Sequence, residues 1–419
     1  MKISDLYKKF LKYPIICTDS RSVKKNSLFF ALKGDNFNGN KYAEEALDKG
    51  AEIAIIDEKK YKINDKYILV NNVLKTLQEL SSYHRDKLKI PIIGITGSNG
   101  KTTSKELINS CLSSELNTAC TTGNYNNHIG VPLTLLEINN KHEIGIVEMG
   151  ANHKGEIKFL CEIAKPNYGV ITNIGKAHLE GFKNFEGVKK AKKELYDYIK
   201  KTQGLIFLNS DDEILSEISE EIKAITYGKN GEISGTNIST SIFCQVIYDN
   251  IKIKSNLIGD YQFYNIMLAL TIAKHFKIKE KNIFKSIESY KPKNNRSEVI
   301  ISEKNLIILD AYNANPSSMF KMIISFSKIK KENKVCILGD MAELGKFSQK
   351  EHLEIIKLVC DLKILSYFIG DEFSKATSVN SFKKADDFKE FLKISDIKNS
   401  TILIKGSRSQ KLEKLVELL

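Results

Sequence analysis

Residues 92–106 read IIGITGSNGKTTSKE: an apolar run, a turn spaced by Gly94, Gly97 and Gly100, then Lys101, Thr102 and Thr103 at the mouth of an expected helix. Glycines let backbone approach an anion closely, a helix start offers free N–H groups, and lysine and threonine add a positive charge and a hydroxyl for magnesium. Gly97, Ser98, Asn99, Gly100, Lys101, Thr102 and Thr103 are therefore expected to cradle the phosphates of a nucleoside triphosphate. The spacing departs from the general G-x-x-x-x-G-K-[ST] pattern, which wants glycine where Ile95 stands. A merely structural glycine turn accounts poorly for Gly-Lys-Thr-Thr after an apolar run.

Other polar residues close apolar runs in the same way. Glu148 ends EIGIVE, and a carboxylate there suits magnesium, which takes hard oxygen ligands, alongside Thr102. His178, in ITNIGKAHLEGF, could bind a metal or hydrogen-bond a reacting group, although a solitary histidine is as readily structural. Lys192, in AKKELY, sits on an expected helix that can return to the same edge; by residue type alone it belongs to a solvated lysine face. All but four of the 64 basic residues are lysine. Arginine in such a chain is expected where a planar fork does what an ammonium cannot, so Arg21, Arg296 and Arg408 are read as phosphate or carboxylate contacts. The asparagine-rich loop NYNNHIGVP suggests a second bulky substrate held against the γ-phosphate. Spacing alone leaves kinases, hydrolases and ATP-driven ligases open.

The elements that must position these groups are strands and helices in alternation. At 419 residues, two or three domains are expected. PIIGIT, EIGIVEM, YGVITNI and GLIFLN predict a mainly parallel sheet with helices on both faces, and ligands gather at the carboxyl ends of such strands. The rhythm resumes after Pro292 with NLIILDAY, KVCILGDM, SYFIGDE and TILIKGS. The expected architecture is α/β in three domains: a small α/β unit over 1–88, a central P-loop domain over 89–292 and a Rossmann-like domain over 293–419.

Composition excludes several classes. The net charge of +13 is spread as single lysines beside acids, which is a solvated surface and no nucleic-acid footprint. No apolar run approaches the roughly 20 residues of a membrane span, and the start lacks a signal-peptide core, so a cytoplasmic protein is expected. Seven scattered cysteines without a C-x-x-C pair argue against a disulfide framework or zinc cage.

In chain order, TGSNGKTTSKE, TTGNYNNHIGVPLTLL, VEMGANHKGEI, TNIGKAHLEGF, AKKELY, NNRSE, DAYNANPSSM, LGDMAELG and KGSRSQKLE resemble the motifs of the Mur ligases, which build the bacterial peptidoglycan precursor. DAYNANPSSM and LGDMAELG most resemble the branch that joins D-alanyl-D-alanine to UDP-N-acetylmuramoyl-tripeptide. The opening DSRSVKKNSLFFALKGDNFNGNKYAEEAL is similar to that branch's nucleotide-sugar domain, so the likeness covers nearly the whole chain. It implies a monomeric ADP-forming ligase working through an acyl phosphate, with ATP, two magnesium ions and those two small-molecule substrates.

The resemblance also implies roles. Lys101 would contact the ATP phosphates, Thr102 and Glu148 the first magnesium, and His178 a second; Lys192 would be carbamylated and become an anionic ligand. Only a neutral amine reacts with carbon dioxide, so its site must lower the lysine pKa. Asn265 would lie near the adenine, Arg296 and Asp310 would reach the ATP phosphates and ribose, and Asn313 and Asn315 would shape the cleft. Ser20 and Arg21 fall near the UDP-sugar, Asn126 and Asn127 near the muramoyl substrate. Tyr261-Gln262 departs from the His-Asn of many relatives, so altered adenine contacts are expected. The rivals are a single-amino-acid muramoyl ligase, a folate glutamate ligase, and, from another class, a nucleic-acid-dependent ATPase.

Overall fold

Ile92–Thr96 is buried at all five positions, so both faces of this strand need cover. In the computed structural model, which describes residues 1–239, 242–293, 295–331, 333–395 and 397–419, it lies inside a seven-stranded parallel sheet. From one edge the order is Ile233–Ser234, Ala224–Gly228, Leu205–Asn209, Tyr168–Ile171, Ile92–Thr96, Ile144–Glu148 and Thr118–Cys120. Successive side chains of a strand point to opposite faces. Ile93, Ile95, Ile146 and Val170 accordingly pack with Leu107, Ile108 and Ile266 of helices Lys101–Leu112 and Gln262–His275. Ile92, Val147 and Ile171 pack on the other face with Leu160 and Leu195, from Glu156–Ala164 and Phe185–Lys201.

The connection leaving Thr96 leads to the Thr118–Cys120 edge, whereas the one leaving Ile171 leads to Leu205–Asn209 on the opposite side. The carboxyl ends of these two neighbouring strands therefore bound a crevice, the place where open α/β sheets bind ligands. This topology gathers Gly97 to Thr103, Glu148 and His178 at one edge.

Two further α/β layers flank this sheet, as the sequence led us to expect. Ile15–Cys17, Ser27–Phe30, Ala51–Ile56 and Tyr67–Leu69 form a four-stranded parallel sheet in that order. Beyond the central sheet, Asn305–Asp310, Ser400–Lys405, Lys334–Gly339, Leu365–Ile369 and Ser381–Phe382 run parallel, with Glu298–Ile301 antiparallel at the edge. Asn294, within the NNRSE motif, lies outside the described residues.

One element was not anticipated. Thr236–Asn237, Phe243–Tyr248 and Ile251–Ile258 form a separate antiparallel sheet. Its hairpin turns through Asp249 and Asn250, at φ 46° and 61°, the paired left-handed conformation of a two-residue loop. Ile253, Ser255 and Leu257 are buried at period two, packing this sheet over helix Gln262–His275. The alternation was present in IKIKSNLI, but the parallel rhythm on either side masked it.

Helix Val73–Lys87, capped by the Asn72 side chain, joins the first sheet to the central one. Its Arg85 spends the guanidinium on main-chain and amide acceptors: Ala164 O at 2.9 Å, Leu88 O at 3.2 Å, Ile90 O at 3.3 Å, Lys165 O at 3.0 Å and Asn167 Oδ1 at 2.9 Å. The one arginine without a suggestive sequence setting is thus the clamp between layers. Arg85→Ala orphans several of these acceptors and is expected to cost about 3 kcal/mol, read as a lowered denaturation midpoint. Arg85→Lys should recover little of it, because an ammonium cannot reproduce the fork.

Candidate active site

The phosphate loop is built on two left-handed glycines. Gly97 has φ +143°, and a Cβ there would lie 2.0 Å from Thr172 Oγ1; Gly100 has φ +79° and starts helix Lys101–Leu112. Gly94, in contrast, is inside strand Ile92–Thr96, where a Cβ would meet Pro166 at 3.1 Å. It serves packing, which corrects its assignment to the turn. The neighbouring strand end holds the loop: Ser98 N donates to Asn173 O at 2.9 Å, Asn99 N to Asn173 Oδ1 at 3.1 Å, and Thr172 Oγ1 to Asn99 O at 2.6 Å. Ser98 Oγ donates to Gly175 O at 3.1 Å and accepts from Gly175 N at 2.9 Å.

Lys101 Nζ folds back onto Gly97 O at 2.7 Å, and burial lowers its pKa, with Glu148 opposing and Arg296 adding to the shift. Thr102 is buried and Thr103 also lines the cleft. Asn265 underpins the loop, accepting from Ser104 Oγ at 3.0 Å and donating to Gln262 Oε1 at 2.6 Å. Gln262 and Tyr261 both line the cleft, and the Tyr261 hydroxyl reaches Met322 Sδ at 3.8 Å.

Glu148 is 1 % exposed at its strand end. Its Oε1 accepts from Asn126 Nδ2 at 2.8 Å, while Oε2 has no hydrogen-bond partner. A buried, unpartnered carboxylate oxygen beside the Thr102 turn fits a hard cation such as magnesium. Among the described residues no three His, Cys, Asp or Glu groups cluster into a metal cage, so a cation here must complete its shell with phosphate or water oxygens. Asn126 is fixed again by Gly150, whose N donates to Asn126 O at 2.7 Å. Asn127 Oδ1 accepts from Ile129 N and Gly130 N at 3.1 and 2.9 Å.

His178 sits in left-handed backbone at φ 51°, a strained setting for a non-glycine residue. Its Nδ1 touches the carboxylate of Glu343, itself at φ 60°, but out of line for a hydrogen bond. This contact holds the Glu343 carboxyl below its usual range. Lys176 adds a second bridge to the same layer, through Glu351 Oε1 at 2.7 Å and Ser317 Oγ at 2.9 Å.

Lys192 is 1 % exposed with its ammonium over the Phe182 ring at 5.6 Å, so the solvated-face alternative fails. Burial first, then the charge of Lys101, brings its pKa down to about 7. It does not line the cleft.

From the third layer, Arg296 stacks on Tyr312 with 3.7 Å between guanidinium carbon and ring centre. Asp310 accepts from Lys405 Nζ at 2.6 Å and from Ser297 N at 3.1 Å. Asn313 gives its carbonyl to Lys405 Nζ at 3.2 Å. Asn315 caps helix Pro316–Ser327 and reaches across to Asn99 Oδ1 at 2.8 Å. Together these walls enclose a cleft of about 1070 Å³.

Besides Lys192, three expected residues lie away from the cleft. Ser20 and Arg21 follow strand Ile15–Cys17 of the first sheet; Ser20 is buried, with its carbonyl on Lys49 Nζ at 3.0 Å. Arg21 lays its fork on Asp19, Nε to Oδ1 at 2.9 Å and a terminal nitrogen to Oδ2 at 2.7 Å, and holds that carboxyl at about 2. Arg408 pairs with Glu413 at 3.0 Å, away from the cleft. Tyr312, Lys176, Glu343 and Lys105 belong to this region without having been among the expected residues; for Lys105 the one signal in the sequence is its i+4 spacing from Lys101, which puts both on one helix face.

Three family models match in succession: "Mur ligase family, catalytic domain" over residues 12–92, "Mur ligase middle domain" over 95–273, and "Mur ligase, glutamate ligase domain" over 295–408. The UDP-N-acetylmuramoyl-tripeptide–D-alanyl-D-alanine ligase of Bacillus subtilis is 32% identical over 423 residues, spanning 96% of this chain and 92% of the relative. The Escherichia coli enzyme of that name is 29% identical, spanning 96% and 93%. The crystal structure of MurF from Acinetobacter baumannii superposes with TM-score 0.88 at 28% identity, covering 99% of this chain and 98% of that one. MurF ligase from Thermotoga maritima in complex with ADP gives TM-score 0.84 at 27% identity, with 97% of each chain covered. With similarity this continuous over a phosphate loop, a strand-end carboxylate and a third layer closing on both, the chain belongs to the Mur ligase family.

Proposed function

We infer that this chain is the ATP-dependent ligase that joins D-alanyl-D-alanine to UDP-N-acetylmuramoyl-tripeptide, giving the muramoyl-pentapeptide precursor of peptidoglycan. The carrying observation is that the phosphate loop, the open oxygen of Glu148 and the Arg296–Asp310–Lys405 group face one cleft, in a chain similar end to end to ligases of that name.

The tripeptide carboxylate attacks the γ-phosphate of ATP, releasing ADP and leaving an acyl phosphate; the amine of D-alanyl-D-alanine then attacks that carbonyl and expels phosphate. Lys101 and the loop N–H groups hold the phosphates, and Arg296 and Asp310 come to the phosphates and ribose of the nucleotide from the third layer. Magnesium, when bound with the triphosphate, would neutralise phosphate charge, held by Thr102 and Glu148, with His178 at a second ion. Asn265 and Gln262 lie on the adenine side, while Asn126, Asn127, Asn313 and Asn315 shape the acceptor side. Closing the third layer over the cleft excludes water, so the anhydride meets the amine instead.

In this reading residues 1–88 bind the UDP-sugar through the turn bearing Ser20 and Arg21, 89–292 bind ATP, and 293–419 close on it and bind D-alanyl-D-alanine. No helix among the described residues is long and apolar enough to cross a membrane. We place the enzyme in the cytoplasm as a monomer. Lys192 is proposed as a carbamylated, anionic ligand, a reading favoured by its burial and its pKa of about 7, which leaves much of the amine neutral near that pH.

Lys101→Ala is expected to lower turnover roughly 10²-fold or more, measured as ADP release with both peptide substrates present; near-normal ligation would remove the central assignment. Lys192→Ala should lose activity and regain part of it with added short-chain carboxylates; no rescue in a variant of unchanged circular dichroism counts against the carbamate. Mass spectrometry of the product from ATP, magnesium, D-alanyl-D-alanine and each UDP-muramoyl-tripeptide, ending in diaminopimelate or lysine, tests the reaction itself. ATP turnover stimulated by nucleic acid and indifferent to these peptides would sink it.

A further inference from the structure

Lys105 has no part in the reaction scheme above, yet it is 1 % exposed, among the most buried charges in the molecule. It lies one helical turn beyond Lys101 on Lys101–Leu112. Its Nζ donates to Thr121 O at 2.7 Å and to Gly123 O at 3.1 Å, the carbonyls that begin the segment leading to Asn126 and Asn127. The same ammonium stands 4.0 Å from Glu148 Oε2 and 4.0 Å from Glu106 Oε1. That is near enough to offset charge in a buried setting and too far to occupy a lone pair. Glu148 N in turn donates to Thr121 Oγ1 at 3.0 Å, and Glu148 Oε1 accepts from Asn126. Lys105, Thr121, Glu148 and Asn126 thus close a ring between the phosphate helix and the acceptor loop.

Burying an ammonium costs free energy unless acceptors and an opposite charge compensate it. A direct ion pair with Glu148 would provide both, and would consume the one oxygen left open. Instead the hydrogen bonds go to the loop and the carboxylate receives only the field. We propose that Lys105 is a positioning residue for ligation: it fixes residues 121–127 under the acceptor substrate and offsets the charge of Glu148 while leaving Oε2 open toward a divalent cation. The acceptor half rests on the function inferred above; the cation half does not.

Two variants separate the halves. Lys105→Met removes charge and donors at similar volume, and Lys105→Gln keeps an N–H donor for the loop without the charge. Two equilibrium measurements serve: calorimetric titration of Mn²⁺ into the ADP-saturated protein, and of UDP-muramoyl-tripeptide into the nucleotide-free protein. Lys105→Met is expected to weaken both about tenfold or more, the scale of losing a partner behind a metal ligand. Lys105→Gln should bring tripeptide affinity back to within about threefold of the parent while Mn²⁺ affinity stays about tenfold down. A lysine serving stability alone lowers the melting temperature and leaves both affinities of the folded protein within about twofold, which overturns the proposal. If Lys105→Met does not fold, Lys105→Gln decides, and parent-like Mn²⁺ affinity there is the overturning result. A parent protein that binds no UDP-muramoyl-tripeptide defeats the substrate reading separately, and the Mn²⁺ titration still judges Lys105.

Discussion

At Gly97 the phosphate loop passes so close to Thr172 that a Cβ would sit 2.0 Å from the threonine oxygen, and the geometry of the cleft follows from that contact. It presses the loop onto the end of strand Tyr168–Ile171, where Asn173 holds its backbone and Gly175 the Ser98 hydroxyl. With the loop fixed, helix Lys101–Leu112 has one direction, which sends Lys101 toward the cleft and Lys105 beneath it. Glu148 ends the strand on the other side of Ile92–Thr96, so its carboxylate meets the same loop from the opposite flank.

The chemistry this frame must support is an encounter between anions. A carboxylate has to approach a triphosphate, and two unit charges 4 Å apart repel by about 4 kcal/mol at an effective dielectric constant of 20. The cleft answers with Lys101, Arg296 and Lys405 on its walls, each held by a partner other than a substrate. Lys405 is tied to Asp310 and Arg296 stacked on Tyr312, so neither side chain must be ordered when an anion arrives. Positioning done before binding is the part of such catalysis that a fold can supply.

How much was legible in the sequence depended on how local each signal was. The phosphate loop is contiguous, and Glu148 and His178 follow apolar strands, so their placement at one edge could be read from the α/β rhythm. Asp310 and Lys405 each closed a run, but their pairing depends on two strands far apart in the chain lying side by side. Arg21 was read for its residue type, and its fork is spent on Asp19 two residues away. Arg85 and Lys105 show the opposite error: beyond the i+4 spacing of Lys105 from Lys101 nothing in their neighbours marks them, because most of the acceptors they bind arrive from other segments. The antiparallel sheet over Phe243–Ile258 was visible in its alternation and lost to a pattern that was correct on both sides of it.

The bridge from Asn99 to Asn315 joins two neutral amides. Such a bond is worth only about 1 kcal/mol net, and the neighbouring Lys176–Glu351 pair is half open to water at its lysine end. The polar bonds across this seam are thus individually weak, in contrast to the fully satisfied arginine clamp at the other end of the central sheet. A machine that must let go of ADP, phosphate and a bulky product after every cycle has its exchangeable bonds where it opens and its fixed ones where it does not.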